Sequence, residues 1–155
     1  MAKSPRLTAP SVDDWLARSF TLNGILNDPD GDGMVNLQEF AFGSDPTVSQ
    51  AGALSYVPGG AVTSPGVPMI DGQPGAFRAI YARRKNYVAD GITYRVFFSA
   101  DLQQWTSSVA GPSVLTNPND TGSIEAVSVP FPATVPLLTG GTSKPIFFRV
   151  SVTGN

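Results

Sequence analysis

The sequence predicts a mainly β protein, an antiparallel β-sandwich of immunoglobulin or jelly-roll type that is preceded by a small helix–loop–helix unit. Three observations support this fold class. The 16 Gly and 14 Pro residues among 155 disfavour a helical bundle, because both residue types break helix interiors. Apolar and polar residues alternate along short segments after residue 54, as in strands with one buried face. Before that point, four of the twelve acidic residues fall within one segment, residues 28–39.

This acidic segment, D-P-D-G-D-G-M-V-N-L-Q-E, fits the twelve-residue calcium loop of an EF-hand at every constrained position. Its aspartates take positions 1, 3 and 5, and Gly33 takes position 6, where the chain must turn sharply. The last residue is a glutamate, which can bind an ion with both carboxylate oxygens. The predicted metal ligands are Asp28, Asp30, Asp32, the backbone carbonyl of Met34, Asn36 and Glu39.

The predicted ion is Ca2+, because calcium prefers six to eight oxygen ligands and this segment supplies them in one tight loop. Without a cation, four carboxylates so close together would repel one another. Magnesium fits less well, since it prefers a smaller octahedral shell and retains its waters. The alternative interpretation is an Asp- and Gly-rich turn that holds no ion.

Two short helices are expected to flank this loop and to complete a helix–calcium loop–helix unit. Ser11 is a candidate N-cap for the first helix, whose apolar face would carry Trp15 and Phe20. The second helix is expected at about residues 36–42, with Gly43 as its C-cap.

We expect two domains. Residues 1–46 are predicted to form the EF-hand-like, calcium-binding helical unit, and residues 47–155 are predicted to form the β-sandwich.

Residues 28–46, D-P-D-G-D-G-M-V-N-L-Q-E-F-A-F-G-S-D-P, resemble the single calcium loop of secreted and surface proteins of Verrucomicrobia and Planctomycetes. They are also similar to bacterial thrombospondin type 3 repeats and to one half of a dockerin. The resemblance implies that the calcium ligands are Asp28, Asp30, Asp32, Asn36 and Glu39. It leaves open whether Asp45 contributes an outer-shell oxygen.

A second complete calcium loop is missing from the sequence. The nearest candidate begins N-P-N-D-T-G at residues 117–122 and has Ser128 where a twelfth-position acid is needed. We predict a turn there, and we do not expect the cohesin docking that a two-loop dockerin would perform.

Four segments have the alternation expected of strands. The clearest are residues 92–99 and 146–153, and the weaker ones are residues 77–83 and 124–131. The Asp90-Gly91 pair before the first of them predicts a hairpin turn. The basic run at residues 83–85 is interpreted as protection of a strand end against pairing with other chains. The Pro-rich stretches 57–74 and 130–145 are expected to be ordered loops or edge segments.

Residues 99–105, S-A-D-L-Q-Q-W, are similar to a second signature of the same bacterial proteins, in which a last strand carries Phe-Phe-Arg, here residues 147–149. The resemblance implies a non-catalytic C-terminal module of a larger exported protein. We expect Asp101 to cap a turn with its side chain. Trp105 is expected to pack in the core, and a sugar-stacking role is the alternative.

An enzyme is not expected. The chain has no His and no Cys, so nucleophile–histidine catalysis and zinc sites of imidazole or thiolate are excluded. The acids outside the loop form no recognisable pair. The net charge of −2 gives no reason to expect nucleic acid as a partner. No apolar run is long enough for a membrane span, and residues 1–6 lack the apolar core of a signal peptide.

The predicted function is that of a non-catalytic, calcium-stabilised structural or interaction module of an exported or cell-surface bacterial protein. Secretion is expected because a lone loop of this kind suits the high calcium concentration outside cells; its targeting segment would lie outside this chain. One alternative is a self-assembling subunit of an extracellular fibre, sheath or layer, in which outward-facing Phe97 and Phe147 favour association. A second alternative is a carbohydrate-binding module that uses Trp105, Tyr81 or Tyr94.

Overall fold

A computed structural model of the chain describes residues 24–49 and 52–154, and the predicted first helix lies outside these residues. One helix and eleven strands occur in the described part. In chain order they are α1 (Asn36–Phe42), β1 (Ser55–Tyr56), β2 (Val62–Ser64), β3 (Met69–Asp71), β4 (Arg78–Arg84), β5 (Ile92–Ser99), β6 (Thr106–Ser107), β7 (Ser113–Val114), β8 (Ile124–Pro130), β9 (Val135–Pro136), β10 (Thr142–Ser143) and β11 (Phe147–Gly154).

The strands form antiparallel sheets, as predicted. The larger sheet has the order β3-β4-β8-β7, and a three-stranded sheet has the order β11-β5-β6. Two further strand pairs, β1-β2 and β10-β9, lie in segments that are rich in proline. The mainly β class is therefore confirmed, and four predicted strands correspond to the four longest observed ones, β4, β5, β8 and β11.

One hydrophobic core draws side chains from both larger sheets. Ile80 of β4, Val127 of β8 and Phe98 of β5 are all buried in the same cluster, and Phe148 of β11 packs against it. The ring of Phe131, which follows β8, lies 4.6 Å from the ring of Phe98. Burial alternates along most of β5, whereas the central residues of β4 and β8 are buried on both faces of their sheet.

Helix α1 is short because its boundaries are set by local chemistry. The backbone N–H of Val35 donates to the side-chain oxygen of Gln38 (3.1 Å), which satisfies a donor at the start of the helix. Gly43 ends the helix in the left-handed conformation, at a φ of 84°, and its N–H donates to the carbonyl of Glu39. Among the described residues, no helix is long and apolar enough to cross a membrane.

The C-terminal turn of α1 contacts one strand of each of the two larger sheets. The Tyr94 hydroxyl donates to the carbonyl of Ala41 (2.6 Å) and accepts from the backbone N–H of Arg84 (3.1 Å). The Arg84 guanidinium lies 4.0 Å from the centre of the Phe40 ring. These contacts fix the helix, and with it the end of the acidic loop, against β4 and β5.

Helix α1 lies beside β11, whose strand partner among the described residues is β5. A methyl group built on Gly154 would meet Leu37 of α1 at 3.3 Å, so the helix packs closely on the end of this strand. Further along β11, Gly33 and Met34 of the acidic loop line a cavity of about 310 Å³ together with Phe148 and Val150. The loop therefore lies next to an edge of the three-stranded sheet.

One local interpretation of the sequence is wrong. Asp90-Gly91 does not close a hairpin, because β4 and β5 belong to different sheets and the turn carries the chain from one to the other. The basic run 83–85 lies beyond the part of β4 that pairs with β3, and each of its three cations forms an ion pair. Protection of this strand end against pairing with other chains stays a prediction.

Candidate metal centre

The acidic loop is built by hydrogen bonds from its own backbone to its aspartates. Asp28 accepts from the N–H groups of Gly31 (2.8 Å) and Gly33 (3.0 Å). Asp30 accepts from the N–H of Asp32 (3.3 Å), and Asp32 accepts from the N–H of Met34 (2.9 Å). Each aspartate thus turns the chain at its own position and keeps its carboxylate on the inner side of the loop.

Gly33 stands where the loop makes its sharpest turn. Its φ of 95° lies in the left-handed region that residues with a side chain rarely adopt. The sequence predicts this requirement at the sixth loop position, and the backbone conformation agrees with it.

The three aspartates converge on one point. Ligand oxygens of Asp28, Asp30 and Asp32 lie within 4.8 Å of one another. Glu39 comes from the first turn of α1 and is fully buried, although it is not part of this triad. The loop ends are closed by the N–H of Asn36, which donates to the Asn27 carbonyl (2.8 Å).

Four buried side-chain oxygens of this segment have no hydrogen-bond donor among the residues that the structure describes. They are Oδ2 of Asp30, Oδ1 of Asn36 and both carboxylate oxygens of Glu39. Asn36 and Glu39 have no solvent exposure, so bulk water cannot donate hydrogen bonds to their oxygens. A buried acceptor without a partner costs about 1–3 kcal/mol, and more when it is charged. These oxygens belong to loop positions 3, 9 and 12, where an EF-hand binds its ion.

Burial, together with the charges of Asp30, Asp32, Asp28 and Asp45, raises the pKa of Glu39 to about 7. Burial also raises the pKa of Asp30, and the nearby carboxylates of Asp32 and Asp28 add to this effect. The three ion pairs between described residues use Arg83, Arg84 and Lys85, and none of them includes an acid of the loop. The loop therefore concentrates negative charge without a cation from those pairs.

The chemistry of these donors fits a hard divalent cation. Carboxylate, amide and carbonyl oxygens are the ligands that calcium prefers, and the chain has no His or Cys to attract a softer metal. A bound cation would give the four unpaired oxygens a partner and would reduce the repulsion that raises the pKa of Glu39. The predicted ligand role of the Met34 carbonyl stays a prediction.

Met34, Asn36 and Asp45, which lie in or just after the acidic loop, make different contacts. The Met34 side chain is buried in the core, although the loop pattern leaves its identity free. Asn36 donates from its side-chain nitrogen to the carbonyl of Gly24 (2.8 Å), which leaves its oxygen directed elsewhere. Asp45 accepts from both the N–H and the hydroxyl of Thr47, and these bonds lower the pKa of Asp45. A role of Asp45 in the outer shell stays a prediction.

The turn interpretation of residues 117–122 agrees with the structure. Asn117 accepts from the N–H of Asn119 (2.9 Å), and Asp120 accepts from the N–H of Gly122 (2.6 Å). The Lys85 ammonium lies 3.1 Å from the second oxygen of Asp120. This oxygen has no hydrogen bond, but the Lys85 ammonium beside it balances its charge, so the turn has a cation of its own.

Asp101 caps a turn, as expected. One of its oxygens accepts from the N–H groups of Gln103 (2.9 Å) and Gln104 (2.8 Å), and the other accepts from the N–H of Leu138 (3.1 Å). These bonds lower the pKa of Asp101 to about 2.

The aromatic residues considered for sugar binding have different surroundings. Tyr81 is buried in the core, where burial raises its pKa to about 12, so its ring offers no platform to a ligand. Tyr94 uses its hydroxyl to hold α1. Trp105 is half-buried rather than part of the core, and its ring lies 4.6 Å from the guanidinium of Arg149.

Sequence reasoning missed the residues that connect the candidate centre to the sheets. Arg84 and Tyr94 position α1, and the Gly24 carbonyl orients Asn36. Nothing in the local pattern identifies them, because each acts on a residue at least ten positions away. It also missed the contact between Trp105 and Arg149, although both residues belong to the second signature.

No family model, curated protein or solved structure matches the chain.

Proposed function

We propose that this chain is a non-catalytic, calcium-stabilised module of an exported or cell-surface protein, in which the two larger sheets form a β-sandwich. One Ca2+ binds Asp28, Asp30, Asp32, Asn36 and Glu39, with the Met34 carbonyl completing the shell. The observation that carries this proposal is the set of four buried oxygens without a donor, which belong to three predicted ligands. The ion stabilises the fold and takes no part in a reaction.

The position of the loop supports a structural role. Residues 33 and 34 lie next to β11, and Glu39 lies in the helix that Tyr94 and Arg84 hold against the sheet. Since these contacts are continuous with the core, order in the loop stabilises both the helix and the neighbouring strand. A sensor is disfavoured, because sensors pair two loops and expose an apolar groove on binding calcium.

Thermal unfolding of metal-stripped protein, titrated separately with calcium and magnesium, tests the proposal. A ligand that binds only the folded state stabilises it by about 2.7 kcal/mol at one hundred times its Kd. For a chain of this size, that corresponds to a rise in Tm of roughly 5–10 °C. We expect calcium to produce this rise and magnesium to produce less.

Two variants make the test specific. Asp30→Asn is expected to weaken the calcium response, whereas Asp71→Asn, which changes an exposed acid of β3, is expected to leave it intact. A Tm that does not respond to millimolar calcium, or a response that is equal in both variants, would show that the loop is not the calcium site.

A further inference from the structure

The three-stranded sheet has a second face, which points away from the core. Directly paired residues project on the same side of a sheet. Phe98 pairs with Phe148 and Val96 pairs with Val150, and these pairs pack with the core. The alternating positions along β5 and β11 therefore face outward.

Two arginines lie on this outward face, and neither forms an ion pair with a described residue. Arg95 and Arg149 are both exposed, and no carboxylate of the described residues lies within 4.0 Å of either guanidinium. Arg149 pairs with Phe97, and Arg95 pairs with Ser151, so the two arginines are diagonal neighbours on adjacent strands. Residues in this relation lie about 7–8 Å apart.

The Arg149 guanidinium is held in place by aromatic rings. It lies 4.6 Å from the centre of the Trp105 ring and 5.1 Å from that of Phe97. A guanidinium that stacks on a ring keeps its N–H edges available, and these edges match the two oxygens of a carboxylate. Arg149 therefore loses little side-chain freedom when it binds such a group.

Hydroxyl groups surround the arginines. Ser107 of β6 pairs with Phe97, and Thr153 of β11 pairs with Thr93, so these side chains share the outward face. Ser107, Arg95 and Thr93 also line a cleft of about 540 Å³ beside the part of β5 that extends beyond β6. The cleft continues towards the core, where Tyr81, Val96 and Val129 line it. No acid occupies β5, β6 or β11. The face is thus basic, aromatic and rich in hydroxyls.

We propose that the outward face of the three-stranded sheet binds an acidic polysaccharide, with Arg95 and Arg149 pairing with the carboxylates of its uronate residues. The hydroxyls of Ser107, Ser151 and Thr153 bind the hydroxyls of the sugar rings. Trp105 and Phe97 position Arg149 rather than contact the ligand's charge. Uronates are favoured over nucleic acid, because two unpaired cations on an acidic chain are too few to hold a phosphate backbone.

The binding experiment uses NMR titration of the isotope-labelled chain at a fixed calcium concentration. The probes are a short glucuronate-containing oligosaccharide and a short galacturonate oligosaccharide, each compared with its carboxyl-reduced neutral form. We expect saturable shifts of the Trp105 indole N–H and of the backbone N–H groups of Phe97, Arg149 and Ser151 with at least one acidic probe. The neutral forms are expected to cause much smaller shifts.

Variants then assign the contacts. Arg95→Gln and Arg149→Gln are each expected to weaken binding by about tenfold, since each removes a charge-assisted contact. Arg149→Lys keeps the charge but loses the planar fork, and it is expected to bind nearly as weakly as Arg149→Gln. Lys144→Gln is the matched control, because Lys144 is exposed and unpaired but lines a separate cavity with Phe77 and Phe131.

Several outcomes would overturn the proposal. They are the absence of binding to either acidic probe, equal binding of the neutral forms, and an equal loss in Lys144→Gln. Binding of dextran sulfate or of polyglutamate without binding of uronates would assign the face to another anion and would also contradict the proposal. The thermal unfolding of each variant in calcium shows that a loss of binding is not a loss of fold, and Arg95→Gln provides a test that does not disturb the aromatic stack.

Discussion

Two acid-bearing turns of this chain, residues 28–39 and 117–122, satisfy their carboxylates in different ways. In the second turn, one oxygen of Asp120 accepts from a backbone N–H, and the other has no hydrogen bond but lies 3.1 Å from the Lys85 ammonium. In the first, both oxygens of Glu39 and one oxygen of Asp30 are buried without a donor. Both turns are rich in Asp, Asn and Gly, so composition alone does not distinguish them.

The two turns differ in what surrounds their unsatisfied oxygens rather than in acidity: the Asp120 oxygen lies beside Lys85, whereas the ion pairs between described residues include neither Asp30 nor Glu39. Outside the loop, the buried carboxylates of the described residues each pair with a cation of the chain: Asp90 pairs with Arg84 at 2.7 Å, and Glu125 pairs with Arg83 at 2.6 Å. The acidic loop takes part in none of these pairs. We propose that a cation from solution is the partner of the unsatisfied oxygens of Asp30, Asn36 and Glu39.

The largest loss of unfolding free energy is expected when a buried carboxylate loses the cation with which it pairs. Arg84→Met leaves the Asp90 carboxylate, whose side chain is 2% exposed, without its cation. Removing one partner of a buried pair costs about 3–5 kcal/mol, and the substitution also loses the stacking on Phe40. Chemical denaturation should show this loss both with and without calcium, and Lys144→Met serves as the control. If calcium restored the stability of Arg84→Met to that of the wild type, the comparison would be contradicted.

A second substitution removes the unsatisfied charge from the loop. Glu39→Gln is expected to raise the Tm of the metal-free protein, because a neutral amide is less costly to bury than a carboxylate without a donor. It is also expected to abolish the calcium response, which is worth about 2.7 kcal/mol at one hundred times the Kd. The two Tm values, with and without calcium, should therefore converge. A metal-free variant less stable than the wild type would argue against an unsatisfied Glu39.

Removal of a single oxygen atom should weaken the contact between α1 and the sheets. Tyr94→Phe removes the hydroxyl that donates to the Ala41 carbonyl and accepts from the Arg84 N–H. Both backbone groups then lose a partner, and we expect a loss of roughly 1–2 kcal/mol. Hydrogen exchange should accelerate more in α1 than in β8 when Tyr94→Phe is compared with the wild type. Uniform acceleration over the chain would mean that the hydroxyl stabilises the whole fold rather than this attachment.

The smallest effect on stability is expected at the turn of Asp101, whose carboxylate accepts hydrogen bonds from backbone N–H groups. The pKa of Asp101 is lowered from 3.8 to about 2, so the folded state favours its ionised form. Its contribution to stability is present above pH 4 and is lost as the pH falls towards 2. The Tm difference between the wild type and Asp101→Ala should shrink over this range. A constant difference would show that the charge of Asp101 does not matter.

The sequence predicts the features that depend on nearby residues. The spacing of Asp28, Asp30 and Asp32 sets the loop, and Gly43 ends α1 where the pattern places it. Strand β5 was predicted because apolar residues occupy every second position from Ile92 to Phe98. Each of these signals lies within about a dozen residues, where backbone geometry links spacing directly to direction.

Features that depend on distant residues were not predictable. The partners of Arg83, Arg84 and Lys85 are set by how β4, β8 and the intervening turns come together. The Asp90-Gly91 turn joins two sheets because β5 pairs with β11, about fifty residues later, rather than with β4. The burial of Met34 likewise depends on the sheets and not on the loop.

A crystal structure grown in calcium, with an anomalous difference map, tests the central claim most directly. The account predicts one strong peak inside the loop, at about 2.3–2.6 Å from oxygens of Asp30 and Glu39. The same peak should be absent from crystals of Glu39→Gln grown in the same solution. A loop that holds no ion in calcium, with water bound to the Glu39 carboxylate instead, would contradict the account.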